Sequence, residues 1–168
     1  FPDAETFFFE RPGKIILCVK DTVESLGVLA AWYRKDCKFK VVAITGSAGK
    51  TTTRQITHHV LSAEGETSPM GGSKRFRTHQ PVKNFNNFIG LPLSILAAPA
   101  DSQILILELA TNKPGEIEYL TKIASPDIAL VTNVYPAHLA GFGSVEKIAE
   151  EKLAISKGLA PAGTLIIN

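Results

Sequence analysis

Short apolar runs alternate with helix-length segments along this sequence, and that alternation constrains the fold more than any other feature. Near-continuous apolar strands separated by helices are typical of a parallel sheet covered on both faces. The runs that predict strands are Lys14–Val19, Phe39–Thr45, Gln103–Leu109, Asp127–Val134 and 163–168. The segments that predict helices are Thr22–Tyr33, a stretch beginning near Lys50, Pro92–Ala98, Pro114–Ala124 and Val145–Leu159. The sequence therefore predicts an α/β fold with a mostly parallel sheet in a three-layer αβα arrangement.

Apolar residues at helical spacing predict which faces two of these helices bury. On the first helix the residues expected to share an inward face are Val23, Leu26, Leu29, Ala30 and Tyr33. On the second helix they are Ile56, Val60 and Ala63. The stretch from Ser62 to Asn87 is rich in glycine, proline and polar residues and predicts a loop. It is longer than a bare connection usually is, which favours a functional role.

Composition excludes several classes of protein. The 168 residues are 45% apolar and 20% charged, which is typical of a globular domain rather than a disordered chain. The longest apolar run is too short to cross a bilayer. A formal charge of +2 provides no general attraction for nucleic acid or membranes, so any phosphate binding must be local. Cys18 and Cys37 lack metal-ligand spacing, and we expect two free thiols in a reducing compartment, with a disulfide as the alternative.

A glycine-rich turn, GSAGKTT, follows a predicted strand and precedes a predicted helix. Its glycines let backbone N–H groups turn toward an anion, and the helix amino terminus adds a partial positive charge. Lys50 can then reach the outer phosphates of a nucleotide, and the Thr51 hydroxyl can ligate Mg²⁺. The residues predicted to hold the nucleotide here are Gly46, Ser47, Ala48, Gly49, Lys50, Thr51 and Thr52.

This turn departs from the strict phosphate-loop pattern at one position. The pattern has four residues between its glycines and would require glycine at position 44, where this chain has Ile44. The alternative interpretation is a glycine turn that caps an ordinary helix, with Lys50 in solvent. The order of strand, glycine turn, Lys-Thr and helix favours the phosphate loop.

Four segments, in this order, resemble the Mur ligase family and its central ATP-binding domain. They are TGSAGKTTT (45–53), NFNNFIGLPLSIL (84–96), ELATNKPGEI (108–117) and TNVYPAHLAGFGS (132–144). Within the family, NKPGEI and AHLAGFGS are most similar to the branch that adds D-alanyl-D-alanine. The resemblance covers about Val41 to the end and implies a P-loop nucleotide-binding fold.

The resemblance also implies how the chain is divided. Residues 1–38 look like a remnant of the family's amino-terminal substrate domain and its linker, and residues 39–168 like the central ATP-binding domain, truncated at its carboxyl end. The opening FPDAETFFFERPG has neither an initiator Met nor a signal-peptide layout, and the closing GTLIIN reads as a strand. We therefore expect a piece of a longer polypeptide that does not complete a reaction alone.

For the activity, the resemblance implies an ATP-dependent ligase of peptidoglycan synthesis. Such enzymes transfer the γ-phosphate of ATP to a substrate carboxylate, and an amine then attacks the acyl phosphate. The implied substrates are a UDP-linked muramoyl tripeptide and D-Ala-D-Ala, and the implied cofactors are ATP and Mg²⁺. We expect a cytoplasmic monomer that binds neither nucleic acid nor membrane.

The family match assigns metal-binding or catalytic roles to three further residues. Glu108 would hold Mg²⁺ beside Thr51, and His138 would bind a second Mg²⁺ near the substrate carboxylate. Lys152 would act as a carbamate that serves as a metal partner. With Lys50, His138 and Lys152 form the expected catalytic set.

Each of these three residues has a simpler interpretation. Glu108 could be a carboxylate that ends a strand, and His138 could be a hydrogen-bonded loop side chain. Lys152 could be a solvated helix lysine paired with Glu150 or Glu151.

Two other regions carry polar groups suited to anions. The amides of Asn86 and Asn87 could donate to phosphate or carboxylate oxygens, or could satisfy the backbone of a turn. The basic loop GGSKRFRTH (71–79) could hold the diphosphate of a UDP-linked substrate or contact nucleic acid, and a solvated loop is the commoner outcome.

Two alternatives to this function stay open from the sequence. One is another Mur-type amide ligase, similar to folylpolyglutamate synthase or cyanophycin synthetase. The other is a non-catalytic module in which ATP only orders a loop for a partner. Loss of activity on replacing His138 or Lys152 would separate a ligase from such a module.

Overall fold

The computed structural model of the protein describes residues 8–11, 14–63, 75–81, 85–136 and 139–168, with the backbone alone for residues 8–11, 14–16 and 139–140. The strands are β1 (Phe8–Arg11), β2 (Lys14–Leu17), β3 (Lys40–Thr45), β4 (Thr78–His79), β5 (Ile104–Glu108), β6 (Ile128–Val131) and β7 (Thr164–Ile167). The helices are α1 (Thr22–Asp36), α2 (Lys50–Ser62), α3 (Gly90–Leu96), α4 (Glu116–Ala124), α5 (Leu139–Phe142) and α6 (Val145–Leu153), and a 3₁₀ helix follows at Ala154–Gly158.

Five of the strands form one parallel sheet in the order β4-β5-β3-β6-β7, and β1 pairs with β2 in a separate antiparallel pair. Ile44 of β3 lies opposite Glu108 of β5, and Thr45 lies opposite Val131 of β6. The carboxyl ends of the three central strands therefore meet at one edge, which is where ligands of such sheets bind. The predicted α/β class with a parallel sheet is confirmed.

Side chains of β3 alternate between two cores because successive residues of a strand point to opposite faces. Val41 and Ala43 enter the larger core, against α3, α4 and the 3₁₀ helix. Val42 and Ile44 enter a smaller core, where Leu61 of α2 packs against it. Helix α1 packs on α3 and α4 at the first of these faces, and α2 covers the second, so the sheet carries helices on both faces.

The prediction for the inward face of α1 is wrong at two of its five positions, because Val23 and Leu29 are exposed. Ala30 is buried as predicted, Tyr33 packs against the larger core and Leu26 is half-buried, and Gly27, which was not predicted, is buried too. A Cβ at Gly27 would overlap the hydroxyl of Tyr119 on α4. Helix α1 therefore approaches α4 closely at Gly27, while Val23 and Leu29 stay outside the contact.

The prediction for α2 is also wrong. Ile56 is 58% exposed and Val60 is exposed, and Ala63 lies just beyond the end of the helix. The buried residue of this helix is Arg54, on the face that also carries Thr51 and Leu61 at helical spacing. Hydrophobic spacing misidentified the face because the side chain that α2 buries most deeply is charged.

Strand β6 and the predicted loop 62–87 also differ from prediction. Strand β6 ends at Val131, three residues early, because Thr132 and the residues after it turn toward the loop that follows β3. Within the predicted loop 62–87, Thr78 and His79 form the edge strand β4 beside β5, and residues 64–74 and 82–84 lie outside the described residues.

Both cysteines are free, as predicted. Of the helices in the described ranges, none has the length and apolar content that crossing a bilayer requires.

Candidate active site

The predicted phosphate loop connects the end of β3 to the start of α2. Ile44, where the strict pattern would have glycine, is a fully buried residue of β3, so the loop proper spans Gly46 to Gly49. Both of these glycines have positive φ, +146° and +80°. Helix α2 has no side chain that caps its amino terminus and no acidic residue in its first turn. Its first N–H groups are therefore suited to bind an anion.

Residues that follow β6 hold this loop in shape. The Asn133 carboxamide accepts a hydrogen bond from the Ala48 N–H (2.9 Å) and donates one to the Ala48 carbonyl (3.1 Å). The Thr132 hydroxyl also donates to the Ala48 carbonyl (2.6 Å). The Ser47 hydroxyl donates to the carbonyl of Tyr135 (3.1 Å) and accepts from its N–H (3.0 Å). The shape of the loop thus depends on the end of β6 as well as on its own glycines.

Sequence reasoning missed these supporting residues. The segment that contains Thr132 and Asn133 served only as a family match, and His138 alone was selected from it. The rule that places ligands at the carboxyl ends of parallel strands could have identified both residues, because they follow β6 directly.

Lys50 lies over the loop from the first position of α2. Its ammonium donates to the Gly46 carbonyl (2.8 Å). Burial lowers the pKa of this ammonium, and the negative charge of Glu108 acts in the opposite direction. The side chain is half-buried and lines a cavity of about 80 Å³. Lys50 is thus a partly desolvated cation beside the loop, not the solvated lysine of the alternative interpretation.

Glu108, the last residue of β5, is brought against the start of α2. Its carboxylate is 3% exposed, and its Oε2 accepts a hydrogen bond from the Thr51 hydroxyl (3.1 Å). Its Oε1 lies 2.8 Å from Nε of Arg54, but the approach is bent, so this ion pair gives neither atom a proper hydrogen bond. The site therefore holds a buried carboxylate oxygen whose hydrogen-bonding capacity is not satisfied.

These groups fit the predicted magnesium ion. Mg²⁺ prefers oxygen ligands and is usually held by one or two protein groups together with substrate phosphates and water. The Thr51 hydroxyl and the Glu108 carboxylate are such a pair, next to the loop predicted to bind phosphate. The described residues contain no group of three or more His, Cys, Asp or Glu that could hold a metal by itself.

Lys152 lies in the wall of the same cavity as Lys50. It is only 4% exposed, so the interpretation of a solvated helix lysine does not hold. Burial, and then the positive charge of Lys50, lower the pKa of Lys152 to about 8, while Glu151 and Glu116 act in the opposite direction. The residues that line the cavity are Gly46, Ser47, Lys50, Ala110, Thr111, Asn112, Phe142, Ile148 and Lys152.

Glu151, another residue that the sequence did not select for the site, holds one wall of the cavity. Its buried carboxylate accepts hydrogen bonds from the N–H groups of Gly115 (2.7 Å) and Ile117 (2.8 Å) and from the Thr111 hydroxyl (3.2 Å). It thereby caps the start of α4 and fixes the segment after β5. Because these bonds use both of its oxygens, Glu151 acts on the backbone rather than as a simple partner of Lys152.

Asn86 and Asn87 lie between the long loop and α3. The amide oxygen of Asn87 accepts from the N–H groups of Ile89 (3.2 Å) and Gly90 (2.8 Å), which satisfies the turn that begins α3. The carbonyl of Asn86 accepts from the Ala110 N–H (2.9 Å), two residues after Glu108. A role of either amide in binding phosphate stays a prediction. His138 lies outside the described residues.

Part of the basic loop also lies within the described residues. Arg77 is exposed and its guanidinium lies 3.4 Å from Asp101. This arginine is thus paired on the surface rather than directed at the cavity.

Comparison with known proteins identifies one family. Residues 44–168 match the Mur ligase middle domain. The chain is 40% identical over 151 residues to the UDP-N-acetylmuramoyl-tripeptide–D-alanyl-D-alanine ligase of Bacillus subtilis, an alignment that covers 90% of this chain and 31% of that protein.

Solved structures of similar proteins belong to the same family. MurF from Acinetobacter baumannii superposes with a TM-score of 0.79 at 34% identity, covering 94% of this chain and 33% of that one. MurF ligase from Thermotoga maritima in complex with ADP superposes with a TM-score of 0.76 at 34% identity, covering 95% and 35%. The chain thus spans about a third of the length of these relatives.

Proposed function

Since this chain belongs to the Mur ligase family, as its sequence motifs predicted, we propose that the full-length protein is an ATP-dependent ligase that joins D-Ala-D-Ala to UDP-N-acetylmuramoyl-tripeptide. One observation in the structure carries the proposal. The phosphate loop with Lys50 lies at the same sheet edge as the Thr51–Glu108 pair, so groups suited to phosphate and to a divalent cation are adjacent. The same proposal makes the protein a cytoplasmic enzyme of peptidoglycan synthesis.

The reaction has two balanced steps. A carboxylate oxygen of the tripeptide attacks the γ-phosphorus of ATP, which releases ADP and forms an acyl phosphate. The amine of D-Ala-D-Ala then attacks the acyl carbon, losing a proton, and inorganic phosphate leaves. Because the first step brings a carboxylate against a polyphosphate, it needs positive charge in fixed positions.

This chain supplies such a charge at the phosphate loop. The N–H groups at the start of α2 and the Lys50 ammonium would bind the phosphates of ATP. Lys152 lies across the same small cavity, where the segment after β5 forms another wall. We assign this cavity to the reacting phosphoryl and carboxylate groups, because the Lys50 ammonium and the metal partner Lys152 line it together.

Thr51 and Glu108 would hold Mg²⁺, and the family resemblance adds His138 and Lys152 around a second ion. When bound, the metal supplies positive charge that stabilises the developing negative charge on the phosphoryl oxygens. The Glu108 carboxylate is already fixed beside the Thr51 hydroxyl, so it needs little rearrangement to serve as a ligand.

We expect Lys152 to form a carbamate with dissolved CO₂. A neutral amine adds to CO₂ and loses a proton, and the pKa of about 8 leaves a substantial neutral fraction near that pH. Carbamate formation should therefore increase as the pH rises from 7 to 9. With ¹³C-bicarbonate, NMR should show a carbamate carbon that is lost in Lys152→Met and kept in Lys147→Met, which changes an exposed lysine of the same helix. A signal that survives Lys152→Met would contradict the assignment.

Phosphate release by the full-length protein tests the proposed function. We expect release that requires ATP, Mg²⁺, UDP-muramoyl-tripeptide and D-Ala-D-Ala together. Turnover only with a different amino acid or peptide would indicate another Mur-type ligase. Nucleotide binding without any turnover, and without dependence on Lys152, would indicate a non-catalytic binding module.

A further inference from the structure

Arg54 is a buried charge to which the proposed function gives no role. It lies on α2, one turn after Thr51, and is 5% exposed. Its Nε lies 2.8 Å from Oε1 of Glu108, and its Nη1 donates to the carbonyl of Pro81. The guanidinium thus connects three parts of the chain: α2, the end of β5, and the long segment before α3.

The two oxygens of Glu108 are held by two residues of the same helix. Oε2 accepts from the Thr51 hydroxyl and Oε1 faces the Arg54 guanidinium. Residues three apart on a helix lie on one face, so α2 presents both groups to the carboxylate together. This arrangement limits rotation of the carboxylate about its last side-chain bond.

Stability alone does not account for such a pair. Burying two charges costs desolvation energy, and apolar residues of similar size are often as stabilising in the same place. The pair instead lies at the carboxyl ends of the parallel strands, against the phosphate loop. A fixed positive charge there compensates the buried carboxylate while leaving Oε1 without a proper hydrogen bond.

We propose that Arg54 is a positioning residue that orients the Glu108 carboxylate for Mg²⁺ beside Thr51. Arg54 acts through Glu108 and does not contact the nucleotide. The inference rests on the proposed function in one respect, namely that Glu108 holds Mg²⁺ when ATP is bound. It predicts that loss of Arg54 changes the dependence on Mg²⁺ more than it changes the affinity for the nucleotide itself.

The test is calorimetric titration of the full-length protein with a non-hydrolysable ATP analogue over a range of Mg²⁺ concentrations. The variants are Arg54→Gln, Arg54→Lys and, as a matched control, Arg77→Gln, which removes an exposed arginine paired with Asp101. We expect Arg54→Gln to raise the Mg²⁺ concentration at half-saturation about 10- to 100-fold, the range found when a group that supports a metal ligand is lost. Binding of the analogue without Mg²⁺ should be unchanged, and Arg77→Gln should match the wild type.

Arg54→Lys separates positioning from folding. Lysine keeps the charge but has one ammonium where arginine has a planar fork, so it should contact Glu108 without also holding Pro81. We expect a Mg²⁺ dependence between those of the wild type and Arg54→Gln. If a thermal melt shows that Arg54→Gln does not fold, the test rests on Arg54→Lys. A raised Mg²⁺ requirement of Arg54→Lys then supports the inference.

Three outcomes have distinct meanings. An unchanged Mg²⁺ requirement in the folded Arg54 variants would overturn the inference and leave the proposed function intact. Equal weakening of analogue binding with and without Mg²⁺ would show a merely structural role and would also overturn it. A wild-type protein that binds no analogue at any Mg²⁺ concentration would reject the proposed function itself.

Discussion

Replacing Lys50 with alanine is expected to lower the rate of ligation by the full-length protein about 10²- to 10³-fold, the loss typical of removing one preorganised group that stabilises transition-state charge. Lys50 starts the helix that follows the phosphate loop, and its ammonium already lies over that loop, 2.8 Å from the Gly46 carbonyl. Partial burial keeps water from screening its charge. The measurement is phosphate release at saturating substrates and Mg²⁺.

The matched control is Lys147→Ala, which removes an exposed lysine from α6 and should leave the rate unchanged. Lys50→Arg should not restore activity, because a planar guanidinium does not reproduce a compact ammonium in a cavity of about 80 Å³. Normal ligation by Lys50→Ala would mean that the loop does not hold the phosphates that react. Lost ligation with unchanged analogue binding would place Lys50 in the chemical step alone.

The sequence predicted the sheet because its central strands are buried on both faces. Val41 through Ile44 form a continuous apolar run, and each residue enters one of the two cores. A strand of that kind has few alternatives to a central position in a parallel sheet. The edge strand β4 was not predicted, because two residues carry too little pattern to be recognised in a loop.

Charged residues that are buried account for much of what sequence reasoning missed. A helix with an arginine among polar residues is normally read with that arginine in solvent, yet Arg54 and Glu108 form a buried pair. The partner of each lies 54 positions away in the chain, so no local pattern reveals the pair. Glu151 was missed for the same reason, because its partners belong to the segment after β5.

The residues of the candidate site were more predictable from the sequence than the residues that hold the site in shape. The phosphate loop, Glu108 and Lys152 all follow from motifs, and the structure brings the loop together with each of the other two. Motifs identify groups that act on a ligand, because the chemistry restricts the choice of side chain. The residues that hold the loop, such as Asn133, are restricted only by the shape they must support, which the sequence does not display.

Gly46→Ala is expected to destabilise the protein far more than Gly115→Ala, although both change a glycine of positive φ, +146° and +87°. A left-handed backbone costs any other residue about 1–2 kcal/mol, and that cost applies to both. A Cβ at Gly115 would meet nothing within 4 Å, whereas at Gly46 it would overlap Oγ1 of Thr132. The overlap should add about 1–3 kcal/mol at Gly46. The measurement is the free energy of unfolding from urea denaturation.

Removing the overlapping atom tests the cause. Thr132→Ala alone should destabilise the protein modestly, because it deletes the hydrogen bond from the Thr132 hydroxyl to the Ala48 carbonyl (2.6 Å). Combined with Gly46→Ala it should cost less than the two single changes together, by about 1 kcal/mol, since neighbouring residues in contact are not additive. The double variant should also bind the nucleotide more tightly than Gly46→Ala alone, because the loop between β3 and α2 returns to its wild-type conformation. Strictly additive losses would show that the overlap with Oγ1 of Thr132 is not what requires glycine at this position.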